Sequence, residues 1–460
     1  MAGGAKRCRS RSNKPKQVDK SRSGRSTQQQ KTSNFRRRGP ENHVESRQLD
    51  HQENGKSKSR KRTNGNCENY PEEHSKTKWR KSSSSVSRSR SGSSGSRSFE
   101  SYKNGPRADA DNHLVYWSGD IIGHRYQILS TIGEGTFGKV VLCMDKKSKE
   151  KVALKVIKRV DKYFRSAKIE IDVLKEILKR DPKLQHRCVR LLDHFDYHGF
   201  MCLSFEELGV SVYDFLNENE YVPFPMEHVK AISYQLIDSV AFLHRHRIIH
   251  TDLKPENILF VNSDWENVYN RRLNKNERRV KSAEVRLIDF GSATYAKDSR
   301  HSTVVSTRHY RALEVILELG WDEKCDAWSV GAIMFELHTG DALFQTHDNW
   351  EHLAMMKYIL GPFPQQMVSK TRKRKYFRRH GDLDWDFEED STSNCRIKSM
   401  CRPLTDCIVH RSSIGNDDDN KGLLQVIQGL LAYQPSSRLS MRRCLKHGFF
   451  DSVRQIYQVK

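Results

Sequence analysis

The 460-residue chain could hold about three domains at roughly 150 residues each, and its 81 Lys and Arg against 57 Asp and Glu leave a net charge of +24. The first hundred residues carry +17 of that charge, with 21 serines and only 13 residues of the AVILMFWYC class, too little apolar surface to offset the entropy of ordering them. A packed core is thereby excluded for the N-terminal fifth, and the absence of any run of about 18 apolar residues excludes a membrane-spanning helix.

Residues 1 to about 115 read as a disordered basic tail. Arg-Ser alternation runs through Arg9-Ser10-Arg11-Ser12, Ser21-Arg22-Ser23 and Ser87-Arg88-Ser89-Arg90-Ser91. A stretch of this kind is either a solvated linker or a switch, since each phosphate on a serine adds about −1.5 to −2 charges beside a cation. As a polycation it would also make weak contact with RNA. Arg36-Arg37-Arg38 and the basic cluster from Lys58 to Arg62 suit nuclear import, and Met1 leads into small and basic residues rather than a secretory apolar stretch. The ten cysteines form no CxxC pair, and the six-residue spacing of Cys395, Cys401 and Cys407 is too loose for a metal site, so free thiols in a reducing compartment are expected.

Order begins near His113. Apolar alternation in Tyr126-Gln127-Ile128-Leu129, Lys139 to Cys143 and Lys151 to Val156 predicts three consecutive antiparallel strands. Ala167, Ile171, Leu174 and Leu178 have the spacing of a helix face over 162–179. Beyond about residue 226 helical patterns dominate, as in His228 to His246 and Trp328 to His338. The fold class is therefore α+β, with a small sheet-rich lobe over about 126–208 and a larger helical lobe over about 209–450.

The first strand runs through Ile132 into Gly133-Glu134-Gly135-Thr136-Phe137-Gly138-Lys139-Val140. A GxGxxG motif alone is weak, but here a strand follows it, where a dinucleotide fold would open a helix. Glycines in such a hairpin let backbone N–H groups approach phosphates. Lys155, 17 residues past Gly138, is placed to clamp a phosphate, with Glu170 on the next helix as its acidic partner. Two further clusters follow, His250-Thr251-Asp252-Leu253-Lys254-Pro255-Glu256-Asn257 and Asp289-Phe290-Gly291. Their carboxylates and amide are hard oxygen ligands of the kind Mg²⁺ prefers.

Glycine loop, lysine, glutamate, HxDLxxxN and DFG in this order resemble the protein kinase superfamily across residues 126 to 450. The resemblance implies a bilobal kinase fold and the following roles. Ile132, Gly133, Glu134, Gly135, Gly138 and Val140 would surround ATP, and Lys155, paired with Glu170, would hold its α- and β-phosphates. Phe205, Glu206 and Leu208 would form the gatekeeper and adenine-binding hinge. Asp252 would accept the substrate hydroxyl proton, Lys254 would neutralise the transferred phosphoryl group, and Asn257 and Asp289 would bind Mg²⁺. Thr307 and Tyr310 match the substrate-facing end of the activation segment, and Asp326 and Arg438 match anchors of the helical lobe.

Glu351-His352-Leu353-Ala354-Met355-Met356 is similar to the signature of the LAMMER, or CDC-like, kinases. The activation-segment run Ser302 to Arg311, the stretches Thr371 to Phe377 and Leu383-Asp384-Trp385-Asp386, and the charged insertion over 261–283 resemble that family too. It implies a nuclear dual-specificity kinase that phosphorylates Ser/Arg-rich splicing factors and itself. For arginine-rich substrates, carboxylates are needed at the cleft, and Glu256 and Asp214 are the candidates.

Three features stand apart. Lys357-Tyr358 replaces the family's Glu-Arg, with an effect expected on packing or partner choice. Leu313 replaces a proline before Glu314, which should loosen the substrate-presenting segment. Thr251, a feature shared with the family, stands where many kinases have an arginine that grips a phosphorylated loop, so activity should not require loop phosphorylation. A related kinase of a proline-directed or tyrosine-autophosphorylating group, a pseudokinase scaffold for splicing proteins, and an RNA-binding protein with a kinase-like body are the alternatives.

Overall fold

The computed structural model describes residues 105–459 apart from 272–273, 299–301, 389–390 and 411–414. The basic tail expected up to about residue 115 thus lies outside the described residues as far as 104. Its last ten residues do carry structure. Ala108 and Leu114 form a β-bridge, Val115 N–H donates to Arg107 O at 2.9 Å, and His113 and Leu114 are buried.

A six-stranded antiparallel sheet forms the small lobe, from β1 (Ile121–Ile122), β2 (Tyr126–Glu134), β3 (Gly138–Asp145), β4 (Lys151–Ile157), β5 (Leu191–Tyr197) and β6 (Phe200–Glu206), in the order β1-β2-β3-β4-β6-β5. The three predicted consecutive strands are β2, β3 and β4. The period-2 pleat of β4 divides its side chains between two cores. Val152, Leu154 and Val156 enter a separate apolar cluster with Leu114, Ile128, Val141 and Phe200. Ala153, Lys155 and Ile157 face α1 (Asp161–Arg180) on the other side.

Helix α1 buries Ala167, Ile171 and Leu174 as expected, but Ile177 takes the next core place and Leu178 is exposed. The buried stripe is displaced toward Glu170 and Val173, because the helix is turned to deliver Glu170 to the sheet.

The large lobe is built on α2 (Val212–Glu218), α3 (Met226–Arg245), α4 (Leu313–Ile316), α5 (Lys324–Thr339) and α6 (Asn349–Leu360). Two short antiparallel pairs brace the functional loops: β7 (Ile248–Ile249) with β12 (Thr294–Tyr295), and β8 (Ile258–Phe260) with β11 (Val285–Leu287). They bring residues 250–257 alongside 288–293. The charged insertion folds as a hairpin of β9 (Trp265–Asn270) and β10 (Lys275–Val280). Asn219 caps its edge from the end of α2, its amide donating to Arg278 O at 3.0 Å and its Oδ1 accepting from Arg278 N–H at 2.8 Å.

A buried ion pair anchors this lobe. Arg438 meets Glu314 through paired contacts of 2.7 and 2.9 Å, with both side chains buried. Leu313 occupies the first position of α4, where proline is well tolerated, and its side chain is fully buried. The loosening expected from the missing proline is therefore offset by packing.

Candidate active site

Gly138 shows why the phosphate-loop sequence needs glycine at one position. A Cβ there would lie 2.1 Å from Val156 O, so the requirement comes from close strand packing against β4. The hairpin closes with Gly135 N–H donating to Gly138 O at 2.9 Å, and Gly133 and Glu134 pair with Val140 and Lys139. Ile132, Gly133, Glu134, Gly135, Gly138 and Val140 thus share one β2–β3 turn.

Lys155 leaves the α1 face of β4 and reaches both oxygens of Glu170, at 3.0 and 2.8 Å, and Asp289 Oδ1 at 3.0 Å. Burial alone would lower the lysine's pKa, but the two carboxylates hold it above its ordinary value. Glu170 is pushed up by its burial, against the pull of Lys155, whereas Asp289 is held down by Lys155 despite burial. This triad ties α1, the sheet and the DFG segment together. At the end of β6, Phe205 is buried, and the Glu206 carboxylate accepts from Arg190 N–H at 2.9 Å. Leu208 packs partly buried against the main core.

The catalytic loop is positioned from below. Asp326, buried on α5, accepts N–H bonds from His250 and Thr251, each at 2.9 Å, and contacts His244 Nε2 at 3.0 Å. Thr251 and Asp289 both adopt left-handed backbone conformations, φ 67° and 61°, and Thr251 Oγ1 donates to Ser292 O at 2.8 Å. Strained non-glycine residues held so firmly belong to functional loops. Asp252 Oδ1 then accepts Thr307 N–H at 3.0 Å and Thr307 O–H at 2.7 Å, while Oδ2 accepts Lys254 Nζ at 2.9 Å. Lys254 Nζ also lies 3.3 Å from Thr307 Oγ1. Asn257 donates its amide N–H to Asp252 O at 2.9 Å, which fixes the side chain and leaves Oδ1 as the uncommitted ligand atom. Asn257 Oδ1 and the Asp289 carboxylate form a hard-oxygen pair that fits a divalent cation completed by phosphates and water.

The two predicted substrate carboxylates separate. Glu256 sits beside the catalytic loop with a buried Oε2 that has no hydrogen-bond partner, and its pKa is raised chiefly by burial. Asp214 is corrected: it is a buried first-turn residue of α2, behind the N-cap Ser211. Ser211 Oγ accepts Asp214 N–H at 3.0 Å and donates to Asp214 Oδ2 at 2.6 Å, and the carboxyl is pushed up to about 6 by burial. Sequence reasoning missed Glu336 on α5. It accepts the buried Tyr310 O–H at 2.7 Å, and burial, helped by the Glu256 and Asp341 charges, pushes it up to about 8 against the pull of that hydrogen bond. No local motif marks it, because only α5 packing brings it near Glu256.

The LAMMER-like helix α6 lies away from these groups. Lys357 Nζ stands 6.0 Å over the Phe387 ring and Tyr358 packs on the same ring at 5.9 Å, so the two departures are matched by one aromatic neighbour. Cys143, Cys188, Cys202, Cys325, Cys401 and Cys444 are free thiols.

Comparison with known proteins agrees with this geometry. A family model described as protein kinase domain matches residues 126–450. The serine/threonine-protein kinase Doa of Drosophila melanogaster is 53% identical over 351 residues, 75% of this chain and 41% of its own length. The dual specificity protein kinase CLK2 of Mus musculus is 51% identical over 347 residues, 75% of this chain and 68% of its own. The serine/threonine-protein kinase AFC2 of Arabidopsis thaliana is 46% identical over 352 residues, 74% and 80% respectively. A crystal structure of a kinase domain, 34% identical, superposes with a TM-score of 0.67 over 75% of this chain and 100% of that one. A scaffold without turnover is not supported by these findings.

Proposed function

The chain belongs to the protein kinase family, in its CDC-like (LAMMER) branch, and on that premise we propose that it transfers the γ-phosphoryl group of ATP to Ser, Thr and Tyr hydroxyls of Ser/Arg-rich splicing factors and of its own tail, in the nucleus. The observation that carries the reading is the hydroxyl already bonded to the base. Thr307 O–H donates to Asp252 Oδ1 at 2.7 Å with Lys254 beside it, the arrangement an attacking alcohol would need.

In the reaction, Asp252 orients the substrate hydroxyl and takes its proton as the new O–P bond forms. The bond from the γ-phosphorus to its bridging oxygen breaks, and ADP leaves. Lys254 neutralises the equatorial oxygens, and Lys155 holds the α- and β-phosphates against Glu170. Bound Mg²⁺, held by Asn257 and Asp289, would neutralise phosphate charge. Little covalent chemistry is asked of the protein, so positioning and electrostatics account for the rate.

Arginine selection is supported by Glu256 and Glu336. A guanidinium seated there would satisfy the bare Glu256 Oε2. The nuclear placement rests on the basic clusters of the tail. RNA contact was assigned to residues outside those described, and no helix among the described residues is long and apolar enough to cross a membrane.

The test is incubation of the full chain with ATP and Mg²⁺ and either an Arg-Ser repeat peptide or a Ser-Pro peptide. Phosphate should enter the Arg-Ser peptide and the tail, and both signals should vanish in Asp252→Asn. Preference for the Ser-Pro peptide would overturn the substrate assignment while leaving the kinase reading intact.

A further inference from the structure

The chain immediately before the kinase lobes folds back onto the outside of the glycine-rich hairpin. Residues 107–115 form a miniature turn. Asp109 Oδ1 accepts N–H bonds from Asp111 at 3.0 Å and His113 at 2.8 Å, and Asp109 N–H donates to His113 O at 2.9 Å. That turn reaches the loop at two charged positions. Asp109 Oδ2 lies 3.6 Å from Lys139 Nζ, and His113 Nε2 lies 3.7 Å from Glu134 Oε1. Glu134 and Lys139 are the paired residues on either side of the phosphate-facing turn.

Two independent tethers fix the segment. Leu114 is buried in the apolar cluster behind β2–β4. At the exit of β4, Arg159 N–H donates to Asn112 O at 3.0 Å, while the neighbouring Lys158 N–H donates to Phe137 O, at the loop tip, at 2.9 Å. Farther on, Tyr116 O–H meets Thr131 Oγ1 at 2.7 Å and Ser118 Oγ donates to Leu129 O at 2.9 Å, so the segment follows β2 along its length. His113 is only 4% exposed whereas Glu134 is 56% exposed. The histidine is a fixed post, and the loop glutamate leans against it.

We propose that Asp109 and His113 are positioning residues for the nucleotide: they hold the glycine-rich hairpin in the posture that receives the phosphates, acting through Lys139 and Glu134 rather than touching ATP. The assignment rests on the nucleotide site described above. The Asp109–Lys139 contact is weak alone, as partly exposed ion pairs are, and burial holds the His113 imidazole below its ordinary pKa, disfavouring the charged form beside Glu134. Their function is to preorganise a loop whose ordering would otherwise be charged against ATP binding. Losing them therefore raises KM for ATP more than it lowers kcat.

The experiment uses the full chain with a saturating Arg-Ser peptide and varied ATP. Asp109→Ala/His113→Ala should raise KM for ATP by about fivefold with kcat within about twofold. His113→Gln, whose terminal amide keeps a donor toward Glu134, should restore most of the effect when Asp109 is intact. Leu114→Ala serves as the structural control and should lower the melting temperature. Lys155→Met tests the underlying site separately and should abolish turnover. An unchanged KM in the double variant, with or without a lower melting temperature, would overturn the positioning role. Retained turnover in Lys155→Met would instead overturn the nucleotide site.

Discussion

The glycine-rich loop and the catalytic loop contribute to one reaction yet are held by different means. The strands of the first ride on a small apolar cluster, separate from the main core, and its hairpin is steadied by hydrogen bonds, partly exposed charges and one aromatic contact of Phe137 with Tyr163 at 5.5 Å. The second is set into the large continuous core, with Ile249 and Leu253 buried and the Asp326 carboxylate taking both His250 and Thr251 N–H groups. Stability is not uniform across a fold, and elements that must open for a ligand come from its less stable end. Here the nucleotide cover is the loosely backed part and the proton acceptor is the rigid part. Lys155 bridges them, bonded to Glu170 on one side and Asp289 on the other.

The largest expected effect lies on the rigid side. Asp252→Asn keeps the side-chain shape but removes the proton acceptor, and turnover of an Arg-Ser peptide should fall by about three orders of magnitude. A fall smaller than tenfold would mean that another group takes the proton.

Next comes the anchor of the large lobe. Arg438→Ala leaves Glu314 buried without its partner and should cost about 3–5 kcal/mol in denaturant unfolding. The mirror experiment on the small lobe is Leu154→Ala, which should cost about 3 kcal/mol. Amide exchange should then rise in β2–β4 while α5 stays protected. Equal loosening of both would erase the contrast between the two regions.

A smaller effect concerns substrate reading. Glu336→Gln should raise KM for an arginine-rich peptide about tenfold, the worth of one charge-assisted hydrogen bond. The carboxyl, pushed up to about 8, is largely protonated near neutral pH, and a bound guanidinium favours its ionised form. Peptide affinity should therefore strengthen as pH rises from about 6.5 to 8, and Glu336→Gln should flatten that slope. For stability the sign is opposite. A carboxyl raised from 4.5 to about 8 contributes fully below pH 4.5, and its contribution is lost as pH climbs through about 8.

The smallest change is expected for Leu313→Pro. Proline's fixed φ gains about 0.4–1 kcal/mol, and the lost leucine packing offsets it, so the unfolding midpoint should shift by less than about 1 kcal/mol.

The contrast also explains what could be read without coordinates. Gly133 to Val140, Lys155, Asp252 to Asn257 and Asp289 work through chain neighbours or strand ends, so short motifs expose them. Glu170 was legible because a helix places one acid opposite the β4 lysine. Asp214 misled because a buried first-turn acid and a surface acid have the same sequence, and only the Ser211 partnership separates them. Glu336 was silent because its role depends on packing from α5. The hairpin of β9 and β10 was read only as a charged insertion, since Glu266, Lys275, Glu277 and Arg278 mask its strand pattern. The turn at 107–115 was taken for tail because its one buried apolar anchor, Leu114, comes at its very end, after a polar stretch from Arg107 to His113 broken only by two alanines.

Thr251 carries a last consequence. Its hydroxyl closes on Ser292 O, within the molecule, where an arginine would wait for an incoming phosphate. If no loop phosphate is needed, phosphatase-treated protein should keep its full turnover of an Arg-Ser peptide, and a loss of turnover on that treatment would overturn the expectation.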